Sequence, residues 1–146
     1  MRKFVIIAVS VLLLSSCATT KNLYYWGSAM SGTTAYEKAF YKTTDKQSPQ
    51  SICEMIAVYE KLVNTPGGLR QVPPPGICAE YGYLLLKPET AQIFRDNAKA
   101  SQKSLFDTDD YDSLFKEKGK ELLLKEIELY PESENFIKPL IQKLSE

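Results

Sequence analysis

The fold of this chain is decided by residues 48–64, SPQSICEMIAVYEKLVN. Ser48 is a good N-cap residue, and Pro49 suits the first turn of a helix, where no backbone N–H is needed. The apolar residues that follow recur every three or four positions, as on one helix face: Ile52, Met55, Ile56, Tyr59 and Leu62. The turn sequence TPGG at 65–68 ends the pattern. The segment is therefore predicted to be an amphipathic helix.

The same periodicity continues on both sides of this segment. Further helices are predicted at residues 33–44, at 76–86, at 89–102, from Tyr111 to Pro131, and from Ser133 onward. Pro139 lies inside the last of these and predicts a kink or a late start. No stretch shows the alternation of a β-strand. The predicted fold class is all-α, a small array of helical hairpins.

The N-terminus is typical of a bacterial lipoprotein signal. Two basic residues, Arg2 and Lys3, precede an apolar run at 4–14, and two serines stand before Cys17. The apolar run is too short to span a hydrocarbon core of about 30 Å. The alternative is an ordinary secretory peptide in which Cys17 falls by chance. The first interpretation divides the chain into a signal peptide at 1–16, a lipidated cysteine with a leader at 17–32, and a helical domain at 33–146.

The residue after the cysteine bears on location. Ala18 resembles the outer-membrane sorting pattern of Gram-negative lipoproteins, and the residues after it lack the acidic cluster of some surface-exported lipoproteins. A protein attached through lipid on Cys17 to the periplasmic face of the outer membrane is therefore expected, because two or three acyl chains make a durable anchor.

Charge and composition exclude several functions. The chain has 18 basic and 18 acidic residues, and loss of Arg2 and Lys3 with the signal leaves 16 basic residues against 18 acidic. A nucleic-acid surface would need a basic stripe. Histidine, the commonest general base and metal ligand, is absent. The acidic residues at 107–112 do not match a calcium loop and are typical of a helix start. We therefore expect no enzyme activity, no metal and no cofactor.

Aromatic residues are the candidate partner-binding residues. Three of them, Tyr24, Tyr25 and Trp26, stand together in the leader, and Tyr81 and Tyr83 lie in the predicted helix at 76–86. The leader rings are open to three interpretations: a docking plug, a belt at the membrane interface, or a cover over one end of the helical core. Aromatic side chains bury large areas, which favours the cover.

Two cysteines remain after Cys17. In an oxidising compartment Cys53 and Cys78 are a candidate disulfide, since an even count suggests pairing. Both lie near predicted helix starts, and the segment at 64–75 is long enough to bring these two starts together. Two buried free thiols are the alternative.

A weak repeat pattern is present in the helices. Tyr81, Gly82 and Leu85 resemble the first helix of a tetratricopeptide repeat, and Gly119 with Leu123 resembles the second, which Pro131 would end. The pattern departs from the repeat at Glu126, where a small residue belongs. The two glycines are also too far apart, so that a repeat here would carry the helix at 89–102 as an insertion.

The order of several segments is more specific. After the lipoprotein cysteine come LYYWG at 23–27, PPPGICAEYGYL at 73–84 and EIELYPES at 126–133. In this the chain resembles a family of small bacterial outer-membrane lipoproteins of unknown function with tetratricopeptide-like helices. The resemblance covers essentially the whole mature chain and implies a tetratricopeptide-like fold. It also implies a neighbouring gene for a lipoprotein similar to the curli-secretion pore, which is the expected protein partner.

Two functions follow as expectations. The first is a membrane-anchored periplasmic adaptor or assembly factor for an envelope complex, because helix pairs form concave grooves suited to peptides or partner helices. The alternative is a lipoprotein that binds a lipid or glycan. A deep apolar pocket lined by Tyr59, Tyr81 and Phe94 would favour the small ligand, whereas a solid core beside an exposed groove would favour the adaptor.

Overall fold

The computed structural model describes residues 21–28 and 32–144. These residues form seven α-helices and one 3₁₀ turn, with no β-strand among them, and the all-α prediction is confirmed. The predicted signal and Cys17 lie outside the described residues. The helices are α1 Ala35–Lys46, α2 Pro49–Asn64, α3 Ile77–Leu85, α4 Thr90–Asn97, α5 Ala100–Lys103, α6 Tyr111–Leu129 and α7 Glu134–Lys143, with the 3₁₀ turn at Pro131–Ser133.

Capping residues fix the starts of the first two helices. Thr34 and Glu37 form a capping box, in which each side chain bonds the other residue's backbone N–H. Helix α1 therefore begins two residues later than predicted. Ser48 accepts a hydrogen bond from the Ser51 N–H, and Pro49 occupies the first turn of α2, as predicted.

The helix predicted at 89–102 is wrong as one element. It is broken at Ala98, whose backbone is extended (φ −71°, ψ 139°). Two side chains donate hydrogen bonds to backbone carbonyl groups near the break. Asn97 Nδ2 donates to the Ile93 oxygen (2.9 Å), and Lys103 Nζ donates to the Arg95 oxygen (2.7 Å). Alanine is itself a good helix former, so the break is set by these contacts rather than by local preference.

The C-terminal helix also differs in detail from the prediction. Ser133 occupies the N-cap position of α7, but its side chain makes no capping hydrogen bond. Pro139 lies inside α7, where it removes one backbone donor. Helix α6 ends at Leu129, two residues before Pro131, as its sequence predicts.

The helices pack in a simple order. Helix α2 contacts α1 on one side and α3 and α4 on the other, and α3 and α4 also pack on α6. The closest approach is between α3 and α6. A Cβ atom added at Gly82 would lie 2.7 Å from the Gly119 carbonyl oxygen, a distance that real Cβ atoms do not show. Two glycines therefore let the helix backbones touch.

The leader docks on the domain through its backbone. The Leu69 N–H donates to the Asn22 carbonyl and the Arg70 N–H to the Leu23 carbonyl, both at 3.1 Å. Gly68 makes this approach available, because it has φ +78° and a Cβ there would lie 2.7 Å from the Leu23 oxygen.

Candidate functional site

An exposed aromatic groove lies between α1, α2 and α3. Its volume is about 290 Å³. Phe40 on α1 and Tyr83 on α3 form its walls and are 42% and 44% exposed, so both rings are available to a partner. Met55 and Tyr59, both buried, form the floor. The groove is open to solvent and has a predominantly apolar lining.

The lining of this groove carries opposite charges. Glu80 lies on α3, Lys87 lies two residues past the end of α3, and both line the groove. The Lys87 ammonium lies 5.3 Å from the centroid of the Tyr83 ring. The groove therefore presents an acidic end, an aromatic middle and a basic end.

Two tyrosines hold the acidic end in place. The hydroxyl groups of Tyr36 and Tyr59 both donate to the same oxygen of Glu80, at 2.9 and 2.7 Å. Burial, followed by the bond to the Glu80 carboxylate, raises the pKa of both hydroxyls well above 10, so they stay protonated donors.

A second carboxylate network lies deeper, beneath the groove. Glu60 is buried and accepts from the Tyr81 hydroxyl (2.6 Å) and from Asn64 Nδ2 (2.7 Å), and it forms an ion pair with Lys118 of α6. Both carboxylate oxygens are thus bonded. The Tyr81 ring stacks on Tyr59 with centroids 5.3 Å apart. Glu60 and Lys118 were missed at the sequence level, because nothing local marks them as buried.

The structure corrects the role predicted for Tyr81. Its side chain is completely buried, at 0% exposure, and its hydroxyl is held by Glu60. Burial, then the charge of Glu60, raises its pKa well above 10. No partner reaches Tyr81 from the surface. Tyr83, two residues later on the same helix, lies in the groove wall.

Hydrogen bonds from buried side chains join the segment at 73–84 to the segment at 126–133. Glu126 accepts from the Gly76 N–H (2.7 Å) and the Ala79 N–H (3.3 Å), and so caps the start of α3 from α6. The Tyr130 hydroxyl donates to the Pro73 carbonyl (2.6 Å). Glu126, the departure from the repeat pattern, therefore has a structural role.

Glu126 predicts a pH effect of defined sign. Burial raises its pKa, against the lowering effect of the backbone N–H groups of α3. A raised pKa means that the folded chain holds the proton more tightly, so this contribution is complete below the unfolded pKa and is lost as pH rises through the folded pKa. The stability of the unchanged chain relative to Glu126→Gln should therefore fall as pH rises above about 4, the usual pKa of an unfolded glutamate. Urea unfolding at several pH values measures this.

The matched control is Glu128→Gln, which changes an exposed carboxylate on the same helix. If the wild-type chain instead gained stability relative to Glu126→Gln as pH rises, a raised pKa for Glu126 would be contradicted.

The three leader aromatics have different environments. Trp26 packs on Tyr36 with ring centroids 5.1 Å apart, and Tyr24 meets Tyr130 edge-on at 6.4 Å. Tyr25 is more exposed, and its hydroxyl lies 3.1 Å from Ser28 Oγ. Two of the three rings therefore cover the helical domain, as the cover interpretation expects.

Both remaining cysteines are free thiols in the structure. Cys53 and Cys78 are fully buried and unbridged, so the disulfide is not formed there. The Cys53 thiol faces the Ile93 carbonyl at 3.8 Å. Burial raises the pKa of Cys53 to about 11 and that of Cys78 to about 12.

Thiol titration of a Cys17→Ser chain checks this, because only Cys53 and Cys78 are then counted. We expect no reaction with a disulfide reagent at pH 8 in the native state, because the thiols are buried and almost wholly protonated. Unfolding without reductant should expose two reactive thiols per chain. A chain that shows none after unfolding would be bridged.

Two of the acidic residues at 107–112 have structural roles. Asp110 caps α6 by accepting from the Ser113 N–H (3.2 Å), and Asp112 forms an ion pair with Arg95. Within the described part of the chain, no group of three or more acidic or cysteine side chains is arranged to hold a metal ion. No helix between residues 21 and 28 or 32 and 144 is both long and apolar enough to cross a membrane. No protein-family model, curated protein or solved structure matches this chain.

Proposed function

We propose that this protein is a lipid-anchored adaptor of the cell envelope without catalytic activity. The observation that carries the proposal is the exposed groove walled by Phe40 and Tyr83. It lies over a core whose buried charged groups already bond one another, as Glu60 and Lys118 do. An open apolar groove beside a filled core suits a protein partner better than an enclosed small ligand.

The groove fits an amphipathic helical segment of the partner. Residues 40 and 43 of α1 and residues 80, 83 and 84 of α3 have the three- and four-residue spacing of a helix face, and these two faces form the walls. A partner helix would place apolar residues between Phe40 and Tyr83. A basic residue near Glu80 and an acidic one near Lys87 would set its direction.

The helix pairing supports a tetratricopeptide-like arrangement. Gly82 of α3 and Gly119 of α6 meet where a repeat's two helices cross, and α4 and α5 form the insertion between them. The lipoprotein signal supports an anchor on Cys17 and a position on the periplasmic face of the outer membrane. The resemblance to the lipoprotein family makes a curli-secretion-pore-like lipoprotein the proposed partner.

Site-specific photo-crosslinking tests the proposal. A crosslinking amino acid at Tyr83 should give an adduct containing the pore-like lipoprotein in mildly solubilised membranes. The same amino acid at Leu124, which is 58% exposed on α6 outside the groove, is the matched control and should give none. Cys17→Ser should abolish both the membrane fraction and the adduct. Equal adducts at both positions, or recovery of this protein alone, would refute the adaptor.

The small-ligand alternative receives less support. Its expected pocket needed Tyr59, Tyr81 and Phe94 around one cavity. Tyr81 and Phe94 are both at 0% exposure within the core, and only Tyr59 borders the groove. Phe94 is surrounded by three aromatic rings whose centroids lie 5.0–5.4 Å from its own. These rings belong to Phe106, Tyr111 and Phe115.

A further inference from the structure

A second exposed surface lies where the leader docks, on a different part of the chain from the groove. We infer that this surface, formed by Lys21, Leu23, Leu69 and Arg70 and here named the leader face, lies on a bilayer that carries anionic phospholipid. The inference rests on the proposed anchoring of Cys17 and specifies how the anchored domain is oriented.

The leader face combines apolar side chains with cations. Leu23 is 51% exposed and Leu69 is 60% exposed, so both present a large apolar side chain to solvent. The hydrogen bonds from Leu69 to Asn22 and from Arg70 to Leu23 hold these two segments side by side. Lys21 and Arg70 are exposed beside them. This composition is typical of surfaces that rest in a membrane interface.

The leader rings help to position the cations. Arg70 Nη1 donates to the Tyr24 hydroxyl (3.3 Å), and its guanidinium lies 5.9 Å from the centroid of that ring. The Tyr24 ring in turn meets Tyr130 at the end of α6. Arg70 is thus placed by the folded domain rather than by the leader alone.

The two segments that form the leader face carry charge of one sign. These segments, residues 18–36 and 61–79, contain Lys21, Lys61 and Arg70 but not one aspartate or glutamate. All 18 acidic residues of the chain lie outside these segments. An anionic lipid surface attracts such a cationic region, with each nearby cation strengthening the attraction about fivefold.

The length of the tether selects a bilayer as the occupant. Four residue steps separate Cys17 from Lys21, and an extended chain covers at most about 3.6 Å per step. With acyl chains on Cys17, Lys21 is held within about 14 Å of the anchored residue. The leader face is therefore the described part of the domain that the anchor keeps beside the lipid headgroups.

Fluorescence quenching by lipid-borne spin labels tests the orientation. The lipidated full-length product is placed in vesicles of phosphatidylethanolamine and phosphatidylglycerol, with a fluorophore on Leu69→Cys. Thr108→Cys is the matched control. Residue 108 precedes the start of α6, and the other end of this helix, about 28 Å away, lies beside Tyr24 of the leader. The buried thiols of Cys53 and Cys78 do not compete for the label.

We expect the label at 69 to be quenched at least threefold more than the label at 108. Combining Lys21→Glu with Arg70→Glu should bring quenching at 69 down to the level at 108 while the helical circular dichroism is unchanged. Equal quenching at 69 and 108, with acyl chains on Cys17 by mass spectrometry, would overturn the leader face alone. Absence of acyl chains on Cys17 would overturn the leader face and the anchor together. Strong quenching at 69 without a crosslink from Tyr83 supports the leader face and removes only the adaptor.

Discussion

Glu60→Ala should lower the free energy of unfolding by about 3–5 kcal/mol, because it removes one partner from a buried ion pair. The Lys118 ammonium, the Tyr81 hydroxyl and the Asn64 amide all donate to the Glu60 carboxylate. Alanine leaves the buried Tyr81 hydroxyl and the largely buried Lys118 ammonium without this acceptor, whereas the exposed Asn64 amide can bond water. Since small domains are stable by only about 5–15 kcal/mol, this single change should remove a large part of the stability.

The matched control lies on the same helix. Glu54 of α2 pairs with Lys42 of α1, but both side chains are about one-third exposed. Glu54→Ala should therefore cost no more than about 1 kcal/mol. Urea unfolding followed by circular dichroism measures both variants. A loss at Glu60 no greater than the loss at Glu54 would show that the buried network contributes little.

Gly82→Val should be nearly as damaging, with a loss of about 3 kcal/mol or more, because its side chain would overlap α6. The added Cβ would lie 2.7 Å from the Gly119 oxygen, 3.1 Å from Leu123 Cγ and 3.2 Å from Leu122 Cβ. The first of these atoms is backbone and cannot rotate away. Helices α3 and α6 would have to separate, which opens the packed interface. The loss should be visible as a lower thermal midpoint and a lower urea midpoint.

A comparison at Gly119 separates backbone overlap from side-chain overlap. A Cβ at Gly119 would meet Leu86 Cγ at 2.6 Å, and the Gly82 oxygen at 3.0 Å. Adding Leu86→Ala to Gly119→Ala should therefore recover part of the lost stability. Adding Leu123→Ala to Gly82→Val should recover none, because the backbone oxygen remains. Full recovery in the second pair would show that the helices do not touch at Gly82.

Helix positions could be predicted well where a local signal existed. Ser48 and Pro49 mark the start of α2, and Pro131 stops α6, because caps and proline act on the backbone within one turn. The break at Ala98 could not be predicted from periodicity, although the hydrogen bonds beside it are local: that of Asn97 spans four residues and that of Lys103 spans eight. Sequence periodicity runs through the break without interruption.

The candidate site was predicted only in part. Tyr83 lies in the groove wall as a partner-binding residue would, but Tyr81, two residues earlier, is buried. On a helix these two positions point about 200° apart, so one faces the core when the other faces solvent. Phe40 of α1 forms the opposite wall. Its exposure depends on how α1 lies against α3, which spacing alone does not reveal.

The sequence by itself determined that the described chain is helical, where most helices begin and end, and that its charge is unevenly distributed. Only the tertiary structure decided which acids are buried and what they bind. Glu60 and Lys118 are 58 residues apart, and Glu126 and Gly76 are 50 apart, yet both pairs are in contact. Capping and periodicity act within a few residues, whereas burial depends on the segments that folding brings together. A glutamate that folding buries therefore cannot be distinguished, in the sequence, from a glutamate that stays in water.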